Sequence, residues 1–334
     1  MNTNNKTLSE KKVYVACDFS LPLRMFNLPE IYANKIKQAF PNINIIFIPK
    51  EINKLSSLDI KALENVTIYW GNLFSPKMLK IMPKLEWIHF GSVGVEKANS
   101  EDVKQRNIRI TNSINIVEEA MTTSAIAAMT NLARGIFRAE KLRVTKKLNR
   151  HSWDLYGEHI NDFFGGHVLI VGYGKVGRKL AKICKAFDMN VSAVNRSQVP
   201  DNNVDEFYKL SNVTSVLKDI DFVINLLPLT DETEQFFSEN FFKKMKKTSF
   251  FINIGRGETV VEEDLIFALN NRTISAAALD VFFKEPLSLD SPLWDVENAI
   301  ITPHVAGYTN QYWPKQTDLF MELLGNHLGV PSNE

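Results

Sequence analysis

The chain has 334 residues, enough for two domains with cores of their own. Its hydrophobic share of 45% and charged share of 23% are those of an ordinary soluble globular protein, and a net charge of +1 argues against a dedicated nucleic-acid binder. No uninterrupted apolar run reaches membrane-spanning length, the polar N-terminus MNTNNKTLSEKK is not signal-like, and the six histidines show no metal-ligand spacing with cysteine or carboxylate.

Residues 1 to about 10 read as a disordered tail. Short apolar runs then alternate with helical stretches. Val13–Cys17 is expected as a strand, Ile31–Phe40 as a helix, and Ile43–Ile48, Val66–Trp70 and Leu85–His89 as further strands. This rhythm predicts an α/β protein with mostly parallel sheet. After the fourth strand comes the small, glycine-rich turn Ser92-Val93-Gly94. The carboxyl end of a strand is where open α/β sheets bind ligands, and free N–H groups there would suit a carboxylate. An ordinary strand-to-helix turn is the alternative, and the local sequence slightly favours it.

Ile108–Thr111 reads as another strand, and Val117–Lys147 as largely helical, with Ala125, Met129, Leu132 and Ile136 on one face. A long helix here suggests a crossing between domains. The more polar and aromatic stretch Asn149–Gly166 leads into the most informative segment of the chain.

That segment is Val168–Gly177, VLIVGYGKVG. An apolar strand is followed by Gly172, Gly174 and Gly177 in G-x-G-x-x-G spacing. A helical pattern through Val176, Leu180, Ile183, Cys184 and Phe187 comes next, then a second strand at Asn190–Val194. Strand, glycine turn, helix and strand in this order make a dinucleotide-binding motif. Gly172 permits the tight turn, Gly174 lets backbone N–H groups approach a pyrophosphate, and Gly177 lets helix and strand pack closely. Lys175 and Val176 open the helix at the phosphate end.

An acidic residue normally ends the second strand and takes the ribose hydroxyls of NAD. Asn195-Arg196-Ser197 stands there instead. The arginine suits a 2′-phosphate and the serine can donate to it, so NADP is the preferred cofactor and NAD the second choice. The alternative has Asn195 bonded to the ribose and Arg196 in solvent.

Strands are expected at Phe222–Leu227, Thr248–Ile254, Ser275–Val281 and Ala299–Thr302, with helices at Val260–Leu269 and Leu319–Leu328. The run Lys243–Lys247 is read as cations at the end of a helix that begins near Ser238. Cys17 and Cys184 look buried, reduced and cytoplasmic. Arg256, Glu285 and His304 each follow a strand of the dinucleotide domain. Singly, each is more simply a surface or loop residue. Together they supply what carbonyl reduction needs: an arginine to bind and polarise a 2-keto acid, a histidine to give the proton, and a glutamate to keep that histidine protonated.

At these residues the chain resembles the D-isomer-specific 2-hydroxyacid dehydrogenases, over nearly its full length. The matching stretches are Pro83–Ile88, Val93-Gly94-Val95, Thr111-Asn112, the glycine fingerprint, Leu226–Thr230 with Thr233, Ile254–Gly257, Leu279–Phe282, Glu285-Pro286 and Thr302-Pro303-His304. The resemblance implies two doubly wound parallel-sheet domains. One is a flavodoxin-like substrate domain, residues 1–114 completed by 306–334; the other is a Rossmann-like dinucleotide-binding domain, residues 115–305. It also implies a homodimer, substrate binding by Arg256, acid/base catalysis by His304, and Glu285 as the histidine's partner. Leu227, Pro228, Thr233, Ile254, Gly255, Asp280 and Gly307 would line the cofactor, with Asp280 against the nicotinamide amide. Ser92, Val93 and Gly94 would hold the substrate carboxylate.

Three features depart from the family pattern. Thr123 stands where Glu is frequent, Glu96 where Asp is usual, and the chain ends soon after the last helix. The implied activity is NADPH-dependent reduction of a small 2-keto acid such as glyoxylate or hydroxypyruvate to the D-2-hydroxy acid. Phe74, Tyr308, Tyr312 and Trp313 would form part of its pocket wall if the C-terminal loop reaches it. Two alternatives use the same fold: a dinucleotide-gated binding module like the C-terminal-binding corepressors, and a formate- or phosphite-type dehydrogenase.

Overall fold

The computed structural model describes residues 12–19, 26–49, 55–151, 162–196 and 200–329. The expected N-terminal tail lies outside them, as does most of the Asn149–Gly166 stretch. The chain divides into two compact units, one running to Val117 and resuming at Tyr308, the other spanning Glu118–Gly307.

The first unit carries a parallel five-stranded sheet in the order β2-β1-β3-β4-β5. Its strands are β1 (Val13–Cys17), β2 (Ile43–Phe47), β3 (Ile68–Gly71), β4 (Trp87–Phe90) and β5 (Arg109–Thr111). Side chains alternate across it as strand geometry requires. Tyr69, Ile88 and Phe90 join Ala16, Phe74, Met78 and Met82 in one core. On the other face Trp70 stacks on Phe320 at 4.1 Å, with Trp87 at 5.7 Å and His89 at 5.9 Å from the same ring. Phe320 belongs to the C-terminal helix Tyr312–Leu328, which therefore completes this layer. That helix starts seven residues before the expected Leu319, because Pro314 falls in its first turn, where a missing N–H costs nothing.

The second unit carries a parallel seven-stranded sheet in the order β12-β11-β10-β9-β6-β7-β8. Its strands are β6 (His167–Val171), β7 (Asn190–Val194), β8 (Glu206–Tyr208), β9 (Phe222–Asn225), β10 (Phe250–Asn253), β11 (Ala276–Leu279) and β12 (Ala299–Ile301). Strand register places Ile170 beside Ile224 and Ile224 beside Ile252. These residues fill one face with Ala125, Met129 and Leu132 of the long helix and Leu180, Ala181 and Cys184 of the helix after the glycine turn. Leu169, Val171, Val223, Phe251 and Ala277 fill the other. The central strands are thus buried on both faces, which is why they read as continuous apolar runs.

Some elements differ from the sequence reading. The expected helix over 117–147 is two helices, Ile114–Arg134 and Ile136–Val144, broken where Gly135 adopts a left-handed φ of 64°. The helix near Ser238 is only Glu239–Phe242, too short for a dipole account of the lysine run. Instead Lys243 pairs with Glu239 and Lys246 with Asp221, each at 2.7 Å. The edge strand β8, three residues of mixed polarity, has no periodicity to announce it. Among the described residues no helix is long and apolar enough to cross a membrane.

Candidate active site

The glycine turn links β6 to the helix Lys175–Ala186. Gly172 has φ 109°, and a Cβ there would lie 2.8 Å from the Leu226 carbonyl, so the turn is pressed against the end of β9. Gly172 and Tyr173 donate their N–H groups to the Val194 carbonyl at 3.3 and 3.0 Å, tying the turn to the end of β7. A Cβ on Gly177 would meet the Gly172 oxygen at 2.8 Å, whereas one on Gly174 would meet nothing within 4 Å. Gly174 therefore opens onto space at the N-terminus of a twelve-residue helix, a surface that fits a dinucleotide pyrophosphate. Lys175 and Val176 form the first turn beside it. At the end of β7 the Asn195 N–H donates to Tyr208 and Arg196 is exposed; Ser197 lies outside the described residues.

Two buried asparagines, which the sequence reading did not single out, shape the next rim. Asn225 ends β9 and Asn253 ends β10, and Asn225 Nδ2 donates to Asn253 Oδ1 at 2.9 Å and to Thr259 Oγ1 at 2.8 Å. Asn225 Oδ1 accepts the Leu227 N–H, Asn253 Oδ1 accepts the Gly255 N–H, and Thr259 Oγ1 donates to the Arg256 carbonyl. The expected cofactor-lining loops after Leu227 and Ile254 are thereby held from below. Polar residues closing otherwise apolar strands were the available signal. Thr233 shuts the Pro228–Thr233 turn, donating from Oγ1 to the Pro228 carbonyl at 2.6 Å. Within the Ile254–Gly257 loop, Arg256 Nη1 donates to the Gly255 carbonyl at 2.8 Å.

His304 and Glu285 meet, with Nδ1 and Oε2 2.7 Å apart. Glu285 Oε1 also accepts the Phe282 N–H at 3.1 Å. The hydrogen bond to Glu285 raises the His304 pKa against the opposing effect of burial. Burial pushes the Glu285 carboxyl up, but the hydrogen bond and charge of His304, with the Phe282 N–H and the Arg256 charge, together outweigh it and the net shift is down. The Arg256 charge acts on both groups, favouring ionised Glu285 and opposing protonated His304. The structure thus brings Arg256, Glu285 and His304 within electrostatic reach of one another.

His304 has φ 55°, a left-handed backbone that the surroundings must enforce. Asp280 enforces it. Its carbonyl accepts the His304 N–H at 2.8 Å, and its carboxylate accepts from Thr302 Oγ1, the Val305 N–H and the Ala306 N–H at 2.5, 2.9 and 2.8 Å. The buried Asp280 is therefore the anchor of the His304 loop, a bonding pattern that sequence spacing does not reveal.

The Ser92–Gly94 turn belongs to the first unit, as an irregular, half-buried bend after β4. Asn112 Nδ2 donates to the Val93 carbonyl at 2.8 Å and the Ser113 N–H to the Ser92 carbonyl at 3.0 Å. Three residues expected in a pocket wall are buried in the first unit's interior instead. Phe74 packs edge-on against Tyr69 and Phe90, Trp313 against Phe19, and Tyr312 donates its hydroxyl to the Gly91 carbonyl at 2.8 Å. Tyr308 remains partly exposed against Phe26.

A parallel sheet with a glycine-turn cradle and an arginine, glutamate and histidine at its loops defines a nicotinamide-dependent oxidoreductase. Residues 94–306 match the family model described as D-isomer specific 2-hydroxyacid dehydrogenase, NAD binding domain. The chain is 33% identical over 237 residues to a glyoxylate/hydroxypyruvate reductase B of Escherichia coli O6:H1, covering 70% of this chain and 72% of that protein. It is 34% identical over 259 residues to a probable 2-ketogluconate reductase of Dictyostelium discoideum, covering 75% of each. A crystal structure of a D-isomer specific 2-hydroxyacid dehydrogenase family protein from Aeromonas salmonicida superposes with a TM-score of 0.78 at 25% identity, covering 96% of this chain and 97% of that one. The chain belongs to the D-isomer-specific 2-hydroxyacid dehydrogenase family, whose members are NAD(P)-dependent enzymes.

Proposed function

We propose that the protein reduces a small 2-keto acid, of the glyoxylate or hydroxypyruvate kind, to the D-2-hydroxy acid with NADPH. The observation that carries the reading is the 2.7 Å contact between His304 and Glu285 within the field of Arg256. Arg256 offers its planar fork to the substrate carboxylate and draws charge toward the carbonyl oxygen. His304, engaged at Nδ1, gives a proton from Nε2 to that oxygen as negative charge develops there. Glu285 holds the imidazole in the required orientation and keeps it protonated. The bound dinucleotide supplies the hydride. Gly172, Gly174, Lys175, Val176 and Gly177 cradle its phosphates, and Leu227, Pro228, Thr233, Ile254, Gly255, Asp280 and Gly307 line its remaining length. Ser92, Val93 and Gly94 hold the substrate carboxylate through their backbone.

The NADPH preference rests on Asn195 and Arg196 in place of an acidic strand end. The substrate class rests on the relatives' names, which specify reductases of glyoxylate, hydroxypyruvate and 2-ketogluconate. The family resemblance supports a homodimer of a substrate unit, residues 1–114 with 306–334, and a cofactor unit, residues 115–305. The two free, buried cysteines suit the cytoplasm. The test is NADPH and NADH oxidation by purified protein against glyoxylate, hydroxypyruvate, pyruvate, 2-ketogluconate and a bulky phenyl 2-keto acid. Turnover of a small keto acid with NADPH favoured over NADH is expected. Activity with NADH alone sinks the cofactor assignment, and silence with every keto acid sinks the activity.

A further inference from the structure

The glycine turn carries a side-chain cluster that the proposed chemistry does not use. Tyr173, between Gly172 and Gly174, is 3% exposed, and its ring packs edge-on against Phe207 at 5.3 Å. The guanidinium of Arg178, in the first turn of the following helix, lies over that ring at 5.0 Å. Arg178 Nη1 stands 3.4 Å from Asp201 Oδ2. Asp201 is itself held by Asn203, whose N–H and Nδ2 donate to Oδ1 at 3.0 and 2.9 Å. The Tyr173 hydroxyl is buried beside the same carboxylate.

The location gives this cluster meaning. The Tyr173 N–H is bonded to the Val194 carbonyl, one residue before Asn195 and two before Arg196. The platform bearing Arg178 is thus fixed to the strand end where a dinucleotide of this fold places its adenosine ribose. The Arg178–Asp201 pair is long and its arginine is 46% exposed, while Asp201, 17% exposed, keeps its two Asn203 donors when the arginine leaves. A guanidinium resting on an aromatic face keeps its fork of donors available at the ring's edge.

Resting on the NADPH reading above, we infer that Arg178 is a second cation for the adenosine 2′-phosphate, and that Asp201 parks it on Tyr173 until the phosphate arrives. The phosphate takes the donors that Asp201 relinquishes. Asp201 is then a specificity-determining residue in its own right, because its negative charge opposes the same phosphate. The chain would discriminate between cofactors by a competition of two anions for one arginine, in addition to the direct contact at Arg196.

The test is calorimetric binding of adenosine 2′,5′-diphosphate and of 5′-ADP to the intact protein, which needs no turnover. For Arg178→Gln the expected result is about a tenfold weaker 2′,5′-diphosphate with 5′-ADP unchanged, as loss of one charge-assisted contact predicts. Asp201→Asn should do the opposite, tightening the 2′,5′-diphosphate severalfold and leaving 5′-ADP alone. Equal weakening of both ligands by Arg178→Gln, or no change in either, overturns the assignment. If that variant does not fold, Asp201→Asn decides, and failure to tighten the 2′,5′-diphosphate overturns it. Arg196→Ala separates the contributions of the two cations. Wild-type preference for the 2′,5′-diphosphate that is lost in Arg196→Ala but kept in Arg178→Gln sinks only the role of Arg178. No preference in the wild type sinks the NADPH reading and this inference with it.

Discussion

His304 Nδ1 lies 2.7 Å from Glu285 Oε2, so the histidine is committed to Glu285 through one nitrogen, and Nε2 is the nitrogen that the proposed reduction would use. Replacing His304 by Ala removes the proposed proton donor but not the proposed cradle for the dinucleotide. A fall in kcat of about 10²- to 10⁴-fold is expected, with cofactor affinity kept. Wild-type-like turnover of purified His304→Ala would exclude it as the donor.

The same contact makes a prediction about pH. The His304 pKa is raised, chiefly by the bond to Glu285, and reduction needs the protonated ring. The rate of keto-acid reduction is therefore expected to hold below that raised pKa and to fall as pH rises through it, with hydroxy-acid oxidation showing the reverse. Glu285→Gln keeps the shape but removes the charge, so its alkaline limb should move to lower pH. A profile of kcat/KM in the variant that coincides with the wild type would contradict the coupling.

Arg256→Lys keeps a positive charge but loses the planar fork. A higher keto-acid KM together with a lower kcat is expected, amounting to about 10- to 100-fold in kcat/KM. Steady-state kinetics at saturating cofactor will show it. An unchanged KM would remove Arg256 from substrate binding.

Gly257 follows Arg256, and a Cβ there would lie 1.9 Å from the Phe282 carbonyl oxygen. The Phe282 N–H in turn donates to Glu285. Gly257→Ala must displace the segment that positions Glu285. A loss of about 1–3 kcal/mol in stability is expected from the overpacking, with a larger fall in kcat than in dinucleotide affinity. Denaturant melts and titration with the dinucleotide separate the two effects.

In the first unit, Asp18 follows β1 and is 2% exposed. Its carboxylate accepts the hydroxyl of Tyr69 and the N–H groups of Asn72 and Leu73, the latter two at 2.9 and 2.6 Å. A Cβ on Gly71 would strike it at 1.8 Å. Asp18→Ala leaves the buried Tyr69 hydroxyl and the half-buried Asn72 and Leu73 N–H groups without this acceptor, at an expected cost of about 2–5 kcal/mol. A denaturant midpoint equal to that of the wild type would refute this anchoring role.

Much of the architecture was legible because the central strands are buried on both faces, and so appear as unbroken apolar runs such as Val168–Val171 and Phe250–Ile252. The glycine fingerprint was legible because only glycine suits the φ of Gly172 and the approach of Gly177 to its carbonyl. Short or edge elements such as β8 were not, since three residues of mixed polarity carry no period. Arg256, Glu285 and His304 stood out by their places after strands, and the family resemblance gave each its role. The groups that hold the surrounding loops came from contacts between distant segments: Asp280 with Thr302, Val305 and Ala306, Asn225 with Asn253, and Arg178 with Asp201. The α/β class, the position of the glycine cradle and the residue types available for chemistry could be read along the chain, because these depend on local periodicity and on backbone freedom at single positions. The polar groups that hold the His304 loop, the burial of Phe74, Tyr312 and Trp313, and the pairing of each carboxylate with its cation emerge only once the chain is folded. Hydrogen bonds and ion pairs act over a few ångströms between residues that the chain separates by tens or hundreds of positions.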